Sequence, residues 1–308
     1  MKALGLTILA IAVGMHPVSF VRAQVKPSDN RLLAFSVSGT NEFSFDTGVL
    51  RGKLRAGGKS TGLSSVVHVP TGLRLDSIMG LFGHYRQFSA NKRHSDAAWY
   101  WPSDARLRQD GSVEVHWPLA EDRPFELRAV YRWAAPNILD LETSVLAKTN
   151  LAKFESFLGS YFAEGFTNAS VSVRSNSKQW LEPADRSHGI WQAYPRDEAA
   201  ASIIQDGRWK FPPSPVDWVI GPRLAKPLGV RRCPAKDLSA VLMSAPQDCF
   251  AVLTPFETES HRSMYLSLFG KDLQAGESAR ARTRLIIGTK LSGEAIDSLY
   301  QDFLRDYR

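Results

Sequence analysis

The sequence predicts an all-β fold, a large antiparallel β-sandwich with one α-helix at its C-terminal end. Three observations lead to this prediction. Apolar and polar residues alternate with period two in nearly every patterned stretch after residue 30, turn residues separate these stretches, and a helical period occurs only near the C-terminus. Many short strands without helices between them are typical of a sandwich. The chain has 308 residues, of which 44% are apolar, so it can bury a core without metals or multiple disulfides.

The N-terminal segment has the pattern of a signal peptide. Lys2 precedes the apolar run 3–15, which is too short to span a bilayer, and a cleavage pattern ends at Ala23. We therefore expect residues 1–23 to be removed and residues 24–308 to form a single sandwich domain in a secreted or periplasmic protein. The first cysteine is far downstream, and no later run reaches 18 apolar residues. We therefore expect neither a lipid anchor nor a membrane anchor after cleavage.

The chain carries a mild excess of positive charge. Lys and Arg number 38 against 31 Asp and Glu, a net charge of +7 that falls to +5 when Lys2 and Arg22 leave with the signal peptide. Spread over this length, the excess favours acidic partners but is well short of the charge of a nucleic-acid-binding protein. We therefore expect no nucleic-acid partner.

The predicted strands follow one another along most of the chain. The clearest pair is 125–133 and 139–147, where apolar residues alternate with charged ones on both sides of an Ala-Ala-Pro-Asn turn. Residues 183–227 break this rhythm with irregularly spaced prolines, tryptophans and charges, and long connecting loops of this kind often carry sites. The other predicted strands are 32–37, 63–69, 113–117, 154–162, 170–173, 240–243, 250–253, 264–269 and 279–287.

Only the C-terminal end has a helical period. Apolar residues recur at three- and four-residue steps from Ile296 to Tyr307, and Ser292 can cap the start. We expect this helix to pack on the sheet.

The two cysteines, Cys233 and Cys249, flank the predicted strand 240–243. In an oxidising compartment we expect them to form a disulfide, which would stabilise the fold by about 3 kcal/mol. The alternative is a reactive thiol, which needs an activating neighbour that the sequence does not show.

The sequence lacks the motifs of a phosphate-binding loop and of a zinc site. Gly57-Gly58-Lys59-Ser60 resembles part of a phosphate loop, but Lys53 stands where that loop needs a glycine. The sequence also contains neither a His-Glu-x-x-His nor a Cys-x-x-Cys element. We therefore expect no cofactor, and no metal site can be read from residue spacing.

The most unusual segment is 80–101, which combines two histidines and three cations with several aromatic rings. Aromatic rings pack on the C–H faces of sugars, while Arg, His and Asn side chains bind hydroxyls or carboxylates. The alternative is that the rings fill the core and the cations lie on a solvated loop. The candidate site residues of this segment are His84, Tyr85, Arg86, His94, Trp99 and Trp101.

A second group repeats this mixture within the irregular region. His188 is a candidate acid or base, because imidazole titrates near neutral pH, and Trp191 and Arg196 are candidate ligands for the substrate. The alternative for His188 is an ordinary loop histidine.

A third group lies near the C-terminal third of the chain. In a strand, Glu257, Glu259 and His261 would share one face, which could place a general base beside an acid, and Arg262 follows them directly. The alternative is a solvated hairpin with salt bridges.

Three arginines, Arg280, Arg282 and Arg284, alternate along a predicted strand. They could contact a polyanion such as a uronate or sulfated chain. The alternative is a charged outer sheet face that discourages edge aggregation.

The C-terminal third resembles galactose mutarotase-like proteins. The resemblance rests on the strands 264–269 and 279–287 and on Leu273-Gln-Ala-Gly-Glu277, because the last strands of that family commonly follow a Leu-x-x-Gly-Glu/Gln turn. It implies a large antiparallel β-supersandwich, in a secreted branch of a superfamily that includes polysaccharide lyases and hydrolases. In that family two histidines and a glutamate transfer protons at the sugar anomeric centre.

The resemblance implies roles for residues that occur in a compatible order: His84, His188 and either Glu257 or Glu259. The leading hypothesis is a carbohydrate-active protein that acts on a sugar or oligosaccharide by acid/base chemistry of the isomerase or lyase type, with an acidic polysaccharide as one candidate partner. His84 or Tyr85 would move a proton and Arg86 would neutralise a carboxylate or hydroxyl. The alternatives are a non-catalytic glycan-binding module and a structural envelope protein.

Overall fold

A computed structural model describes residues 33–90, 92–175, 178–256 and 262–306. Strands make up 55% of it and helices 14%, which confirms the predicted all-β class. The predicted signal peptide lies outside the described residues.

The strands are short in the N-terminal part of the chain and reach 12 residues in the C-terminal part. In chain order they are β1 (Ser36–Gly39), β2 (Glu42–Asp46), β3 (Leu50–Arg55), β4 (Gly62–His68), β5 (Leu73–Arg74), β6 (Gly83–Ser89), β7 (Lys92–Arg93), β8 (Asp104–Leu107), β9 (Val113–Trp117), β10 (Phe125–Ala135), β11 (Ile138–Ala147), β12 (Leu151–Phe162), β13 (Asn168–Ser175), β14 (Lys178–Pro183), β15 (Trp191–Pro195), β16 (Val219–Ile220), β17 (Leu224–Cys233), β18 (Leu238–Ser244), β19 (Cys249–Pro255), β20 (Arg262–Leu273) and β21 (Ser278–Thr289).

These strands form three sheets in the described part of the chain. β1 to β5 make a sequential five-stranded sheet, a nine-stranded sheet has the order β14-β13-β17-β18-β21-β11-β10-β9-β8, and a seven-stranded sheet has the order β16-β15-β19-β20-β12-β6-β7. Neighbouring strands are antiparallel except for β15 and β16. The predicted hairpin 125–147 is confirmed, with Leu127 opposite Val145 across β10 and β11.

The main core lies between the nine-stranded and seven-stranded sheets and extends under the five-stranded one. Strand alternation places Trp117 and Tyr131 of one large sheet against Leu158 and Leu266 of the other, and all four side chains are buried. A second apolar cluster covers the opposite face of the seven-stranded sheet. That outer face carries the candidate site.

Two α-helices pack on the sheets: α1 (Glu198–Ile204) and α2 (Gly293–Asp306). The C-terminal helix was predicted, and its cap is confirmed, because the Ser292 hydroxyl accepts a hydrogen bond from the Ala295 amide at 3.2 Å. Helix α1 was not predicted; it begins where the Asp197 side chain accepts a hydrogen bond from the Ala200 amide at 2.8 Å. No helix in the described ranges is long and apolar enough to cross a membrane.

The predicted disulfide between Cys233 and Cys249 is not present. Both residues are buried free cysteines. Cys233 ends β17 in the nine-stranded sheet, whereas Cys249 begins β19 in the seven-stranded sheet. The Cys249 thiol lies 3.1 Å from the Ala251 carbonyl oxygen, and burial raises its pKa to about 12. Each cysteine is instead a small apolar residue of the main core.

Candidate functional site

A cavity of about 810 Å³ opens on the outer face of the seven-stranded sheet. Its floor is built by β6, β12 and β20, and its walls by the loop that follows β5 and by residues 208–218, which we call the strap. The lining residues are Ser77, Ile78, Met79, Tyr85, Arg86, Phe157, Tyr161, Phe162, Glu164, Trp191, Trp209, Ser214, Pro215, Val216, Trp218, Arg262 and Tyr265.

A bulge in β6 brings two consecutive side chains to the cavity. His84 lies opposite Leu158 and Arg86 lies opposite Phe157, so Tyr85 is the extra residue between two adjacent pairs. In a regular strand Tyr85 and Arg86 would point to opposite faces. Because of the bulge, both line the cavity.

Stacked rings make the cavity wall stiff. Tyr85 lies parallel to Trp99, with ring centroids 4.3 Å apart and an interplanar angle of 6°. Phe157 stacks on Tyr265 at 4.6 Å. Trp218 makes edge-to-face contacts with other tryptophans of the wall, one of them Trp191 at 5.6 Å. Such packing holds the exposed ring faces in fixed positions.

Arg86 is a buried cation at the base of the cavity, with only 1% of its surface exposed. Its Nη2 donates to the Tyr85 hydroxyl at 3.0 Å and to the Ser214 carbonyl at 2.7 Å. Its Nε and Nη1 are buried and have no hydrogen-bond partner among the described residues. The guanidinium carbon lies 4.8 Å from the Tyr85 ring centroid and 5.1 Å from that of Trp209. The group is therefore oriented by aromatic faces and carbonyls and keeps N–H donors unused.

Two further tyrosines supply hydroxyl groups to the floor. The side chains of Tyr161 and Tyr265 are hydrogen-bonded to each other. Burial raises the pKa of Tyr265 to about 12, and burial together with the neighbouring Tyr265 raises that of Tyr161. Both hydroxyls therefore stay protonated at neutral pH, and in their mutual hydrogen bond one donates and the other accepts.

A buried ion pair holds one end of the strap. Arg208 Nη1 donates to Glu155 Oε2 at 2.8 Å, and neither side chain has any exposed surface. Ser267 donates to the other Glu155 oxygen at 2.7 Å, and Asp206 binds the far side of the guanidinium at 2.9 Å. Burial raises the pKa of the Glu155 carboxyl, and the Arg208 charge opposes that shift. This cluster fixes the strap directly before Trp209.

The cavity unites residues from all three groups singled out in the sequence. Tyr85 and Arg86 come from the first group, Trp191 from the second and Arg262 from the third. Trp99 does not line the cavity, but its ring supports that of Tyr85 from behind.

The structure contradicts a catalytic role for His84. Its side chain is fully buried between the two large sheets, where one ring nitrogen lies 3.0 Å from the Ser156 hydroxyl and the other 3.2 Å from that of Thr143. Burial lowers its pKa to about 3, so the ring is neutral. His84 is a core histidine because the bulge follows it and leaves it on the inner face of β6.

His94 and Trp101 are core residues as well and do not line the cavity, so their predicted contact with substrate is wrong. His94 is 1% exposed, and its ring lies 2.8 Å from the Ser89 hydroxyl. Trp101 is 3% exposed and packs in the main core beneath the Arg123 guanidinium, 4.6 Å away. Trp101, like Phe82 and Phe88, is thus one of the rings that fill the core.

His188 and Arg196 are not among the residues that line the cavity. His188 ends a 3₁₀ turn, Arg186–His188, just before β15. Arg196 pairs with Asp197 at 2.8 Å, at the start of α1. Only Trp191 of this group reaches the cavity, because it is the first residue of the intervening strand.

Glu257, Glu259 and His261 lie outside the described residues. Their roles stay predictions. Arg262, the next residue, begins β20 and lines the cavity. Within the described part of the chain, no group of three or more His, Cys, Asp or Glu side chains is placed to hold a metal ion.

Sequence reasoning missed Tyr161, Tyr265, Trp209 and Trp218. The two tyrosines fall within strands that were predicted, but alternation alone does not say which face looks into a cavity. The two tryptophans fall in the irregular region. Their position in a long loop was the one feature of the sequence that could have marked them as site residues.

The buried histidines make stability depend on pH. Burial lowers the pKa of His84 to about 3 and that of His94 to about 4, whereas both bind protons near pH 6.5 in the unfolded chain. The unfolded chain therefore binds more protons as the pH falls from 6.5, and stability is lost at about 1.4 kcal/mol per pH unit for each group.

Urea unfolding at intervals between pH 7 and pH 4.5 measures this slope. A His94→Gln variant is expected to show about half of it. A wild-type stability that stays flat over this interval would contradict the neutral state of both rings.

The chain is similar in fold to several solved structures. No protein-family model and no curated protein matches the chain. Among solved structures, a heparan sulfate lyase HepC mutant from Pedobacter heparinus shares 7% identity with a TM-score of 0.50, over 84% of this chain and 37% of the lyase. A TPR-domain containing protein from Parabacteroides distasonis shares 8% identity with a TM-score of 0.52, over 83% of this chain and 48% of that one.

A putative aldose 1-epimerase from Escherichia coli K12 is similar over its whole length and over 82% of this chain, with 9% identity and a TM-score of 0.49. Identities this low show the fold alone. The predicted large antiparallel β-sandwich is confirmed at that level.

Proposed function

We propose that the cavity binds an oligosaccharide with an acidic sugar and that the protein is carbohydrate-active by acid/base chemistry of the isomerase or lyase type. The observation that carries this proposal is the buried guanidinium of Arg86, a residue that lines the aromatic cavity and has two nitrogens without a hydrogen-bond partner among the described residues.

The cavity has the size and lining of a sugar site. Its volume of about 810 Å³ lies in the range of small-molecule sites, roughly 300–1,000 Å³. Trp191, Trp218 and Tyr85 offer apolar faces on which the C–H groups of a pyranose ring can pack. The Tyr161 and Tyr265 pair offers hydroxyl groups for the sugar oxygens.

The charge of the lining favours an acidic residue. Arg86 and Arg262 contribute two cations, and Glu164 is the one carboxylate among the described lining residues. A carboxylate or sulfate accepts stronger hydrogen bonds from a guanidinium than a neutral hydroxyl does. The similarity in fold to a heparan sulfate lyase supports the same substrate class.

Tyr85 is the candidate for proton transfer. Its hydroxyl accepts a hydrogen bond from Arg86 Nη2 at 3.0 Å, so a cation lies next to the oxygen that would act as the base. Lyase cleavage and epimerisation next to a carboxylate both begin with removal of the proton from the adjacent carbon. Arg86 would neutralise the carboxylate while Tyr85, after releasing its own hydroxyl proton to solvent, takes the carbon-bound proton. In lyase cleavage that proton then passes to the leaving glycosidic oxygen, and in epimerisation the carbon is reprotonated on its opposite face.

Export is part of the proposal. The pattern of residues 1–23, with Lys2 before an apolar run and Ala23 at its end, supports a signal peptide and a secreted or periplasmic location. N-terminal sequencing of the protein recovered outside the cytoplasm is expected to start at Gln24.

Titration with uronate and neutral oligosaccharides of equal length, with detection of products, tests the function. Wild type is expected to prefer the uronate ligand. Arg86→Met is expected to weaken uronate binding about 100-fold, since a hydrogen bond from a charged donor is worth about 1.5–3 kcal/mol, and to change neutral binding much less.

Arg196→Met is the matched control, because it removes an arginine that does not line the cavity. Thermal unfolding of each variant checks the fold. Equal affinity of wild type for both ligands, or unchanged uronate binding by Arg86→Met, would refute the proposal.

A further inference from the structure

The strap, residues 208–218, is fixed at its two ends. At one end Arg208 is buried in the ion pair with Glu155. At the other, Trp218 packs edge-to-face on Trp209 at 5.4 Å, and Val219 begins the short parallel strand β16. Between these ends the turn 211–215 is exposed, yet Ser214 and Pro215 line the cavity.

Two arginines from neighbouring strands hold the exposed turn. Arg93 Nη1 donates to the Pro213 carbonyl at 2.8 Å, and Arg86 Nη2 approaches the same oxygen at 3.3 Å while donating to the Ser214 carbonyl at 2.7 Å. Burial and the nearby charge of Arg86 lower the pKa of Arg93. The positive charges of Arg86 and Arg93 thus meet at the Pro213 carbonyl oxygen. The partial negative charge of that oxygen offsets part of the repulsion between the two guanidinium groups.

We propose that Arg93, which does not line the cavity, is a positioning residue that acts through the Pro213 carbonyl on both the strap and Arg86. Because Arg93 binds Pro213, Arg86 uses only Nη2 on the strap and keeps Nε and Nη1 for a ligand. Without Arg93, Arg86 would be the remaining donor to the Pro213 carbonyl and its guanidinium would be free to turn further toward that oxygen. The strap would then lose its outer support.

Hydrogen exchange of the ligand-free protein tests the first part of this proposal. The Val216 amide donates to the Trp209 carbonyl at 2.9 Å inside the strap. In Arg93→Met, exchange at Val216 is expected to speed up on the order of 10-fold, the effect of losing one hydrogen bond from a charged donor. Arg93→Lys, which can still donate to Pro213, is expected to restore most of the protection.

Lys92→Met is the matched control, because it removes a neighbouring positive charge from the exposed side of β7. It is expected to leave Val216 exchange unchanged. The melting temperature of Arg93→Met is expected to stay within a few degrees of wild type, which separates a positioning effect from general destabilisation. Unchanged Val216 exchange in Arg93→Met overturns the proposal.

The second part, support of ligand binding, rests on the proposed function. With trigalacturonate as the probe, Arg93→Met is expected to bind about 10-fold more weakly than wild type, a larger loss than that of Lys92→Met. Equal losses in the two variants mean that only the net charge matters, and they overturn this part. If wild type binds no trigalacturonate or other sugar, the proposed function fails while the exchange experiment still decides the role of Arg93.

Discussion

Replacing Arg208 by Met is expected to lower the free energy of unfolding by about 3–5 kcal/mol, the usual effect of breaking a buried ion pair from one side. The substitution leaves Glu155 fully buried, with Ser267 as its remaining hydrogen-bond partner among the described residues. Methionine fills much of the same volume, so the loss reflects the stranded carboxylate. Chemical denaturation at neutral pH measures it.

Two further variants make this prediction specific. Glu155→Gln in the Arg208→Met background removes the stranded charge and is expected to recover part of the loss. Arg132→Met breaks an ion pair with Asp110 in which both side chains are about half exposed, so it is expected to change stability by less than about 1 kcal/mol. A similar loss of unfolding free energy in Arg132→Met and Arg208→Met would show that burial does not increase the contribution of the Arg208–Glu155 ion pair to stability.

Replacing Tyr85 by Phe is expected to reduce kcat about 100-fold or more on a uronate substrate, within the range of 10²–10⁴ that proton-transfer groups contribute. Only the hydroxyl is lost, and the ring can still stack on Trp99. KM is therefore expected to change little. Steady-state kinetics with product detection separates the two parameters.

Tyr100→Phe is the control for this experiment, because Tyr100 contacts the same tryptophan edge-to-face while being 64% exposed. It is expected to keep full activity. An unchanged kcat in Tyr85→Phe would remove Tyr85 from the mechanism. If wild type binds the uronate ligand without forming product, the alternative of a non-catalytic glycan-binding module is supported instead.

The architecture could be predicted because strand alternation is a local property. In β10 and β11 each buried residue is followed by a more exposed one. The same alternation appears in the sequence as apolar residues that alternate with polar ones. The C-terminal helix could be predicted as well, from the three- and four-residue spacing of its apolar residues. α1 was not, because its seven residues are too few for a clear period.

The site could be predicted only in part because it depends on which face each strand presents. The segment around His84 carries the right residue types, but a one-residue bulge decides that Tyr85 and Arg86 face the cavity while His84 faces the core. Bulges leave no pattern in a single sequence. Trp209 and Trp218 reach the site because long-range contacts position the strap. One of these contacts is the ion pair between Arg208 and Glu155, two residues that are 53 positions apart in the chain.

The disulfide prediction failed for a related reason. Export and spacing favour a disulfide, but the fold uses Cys233 and Cys249 as separate buried residues of the main core. The same placement gives the molecule a pair of built-in reporters. Each thiol becomes accessible to an alkylating reagent only when the main core around it opens, so the rates at which the two are labelled would compare opening at the end of β17 with opening at the start of β19.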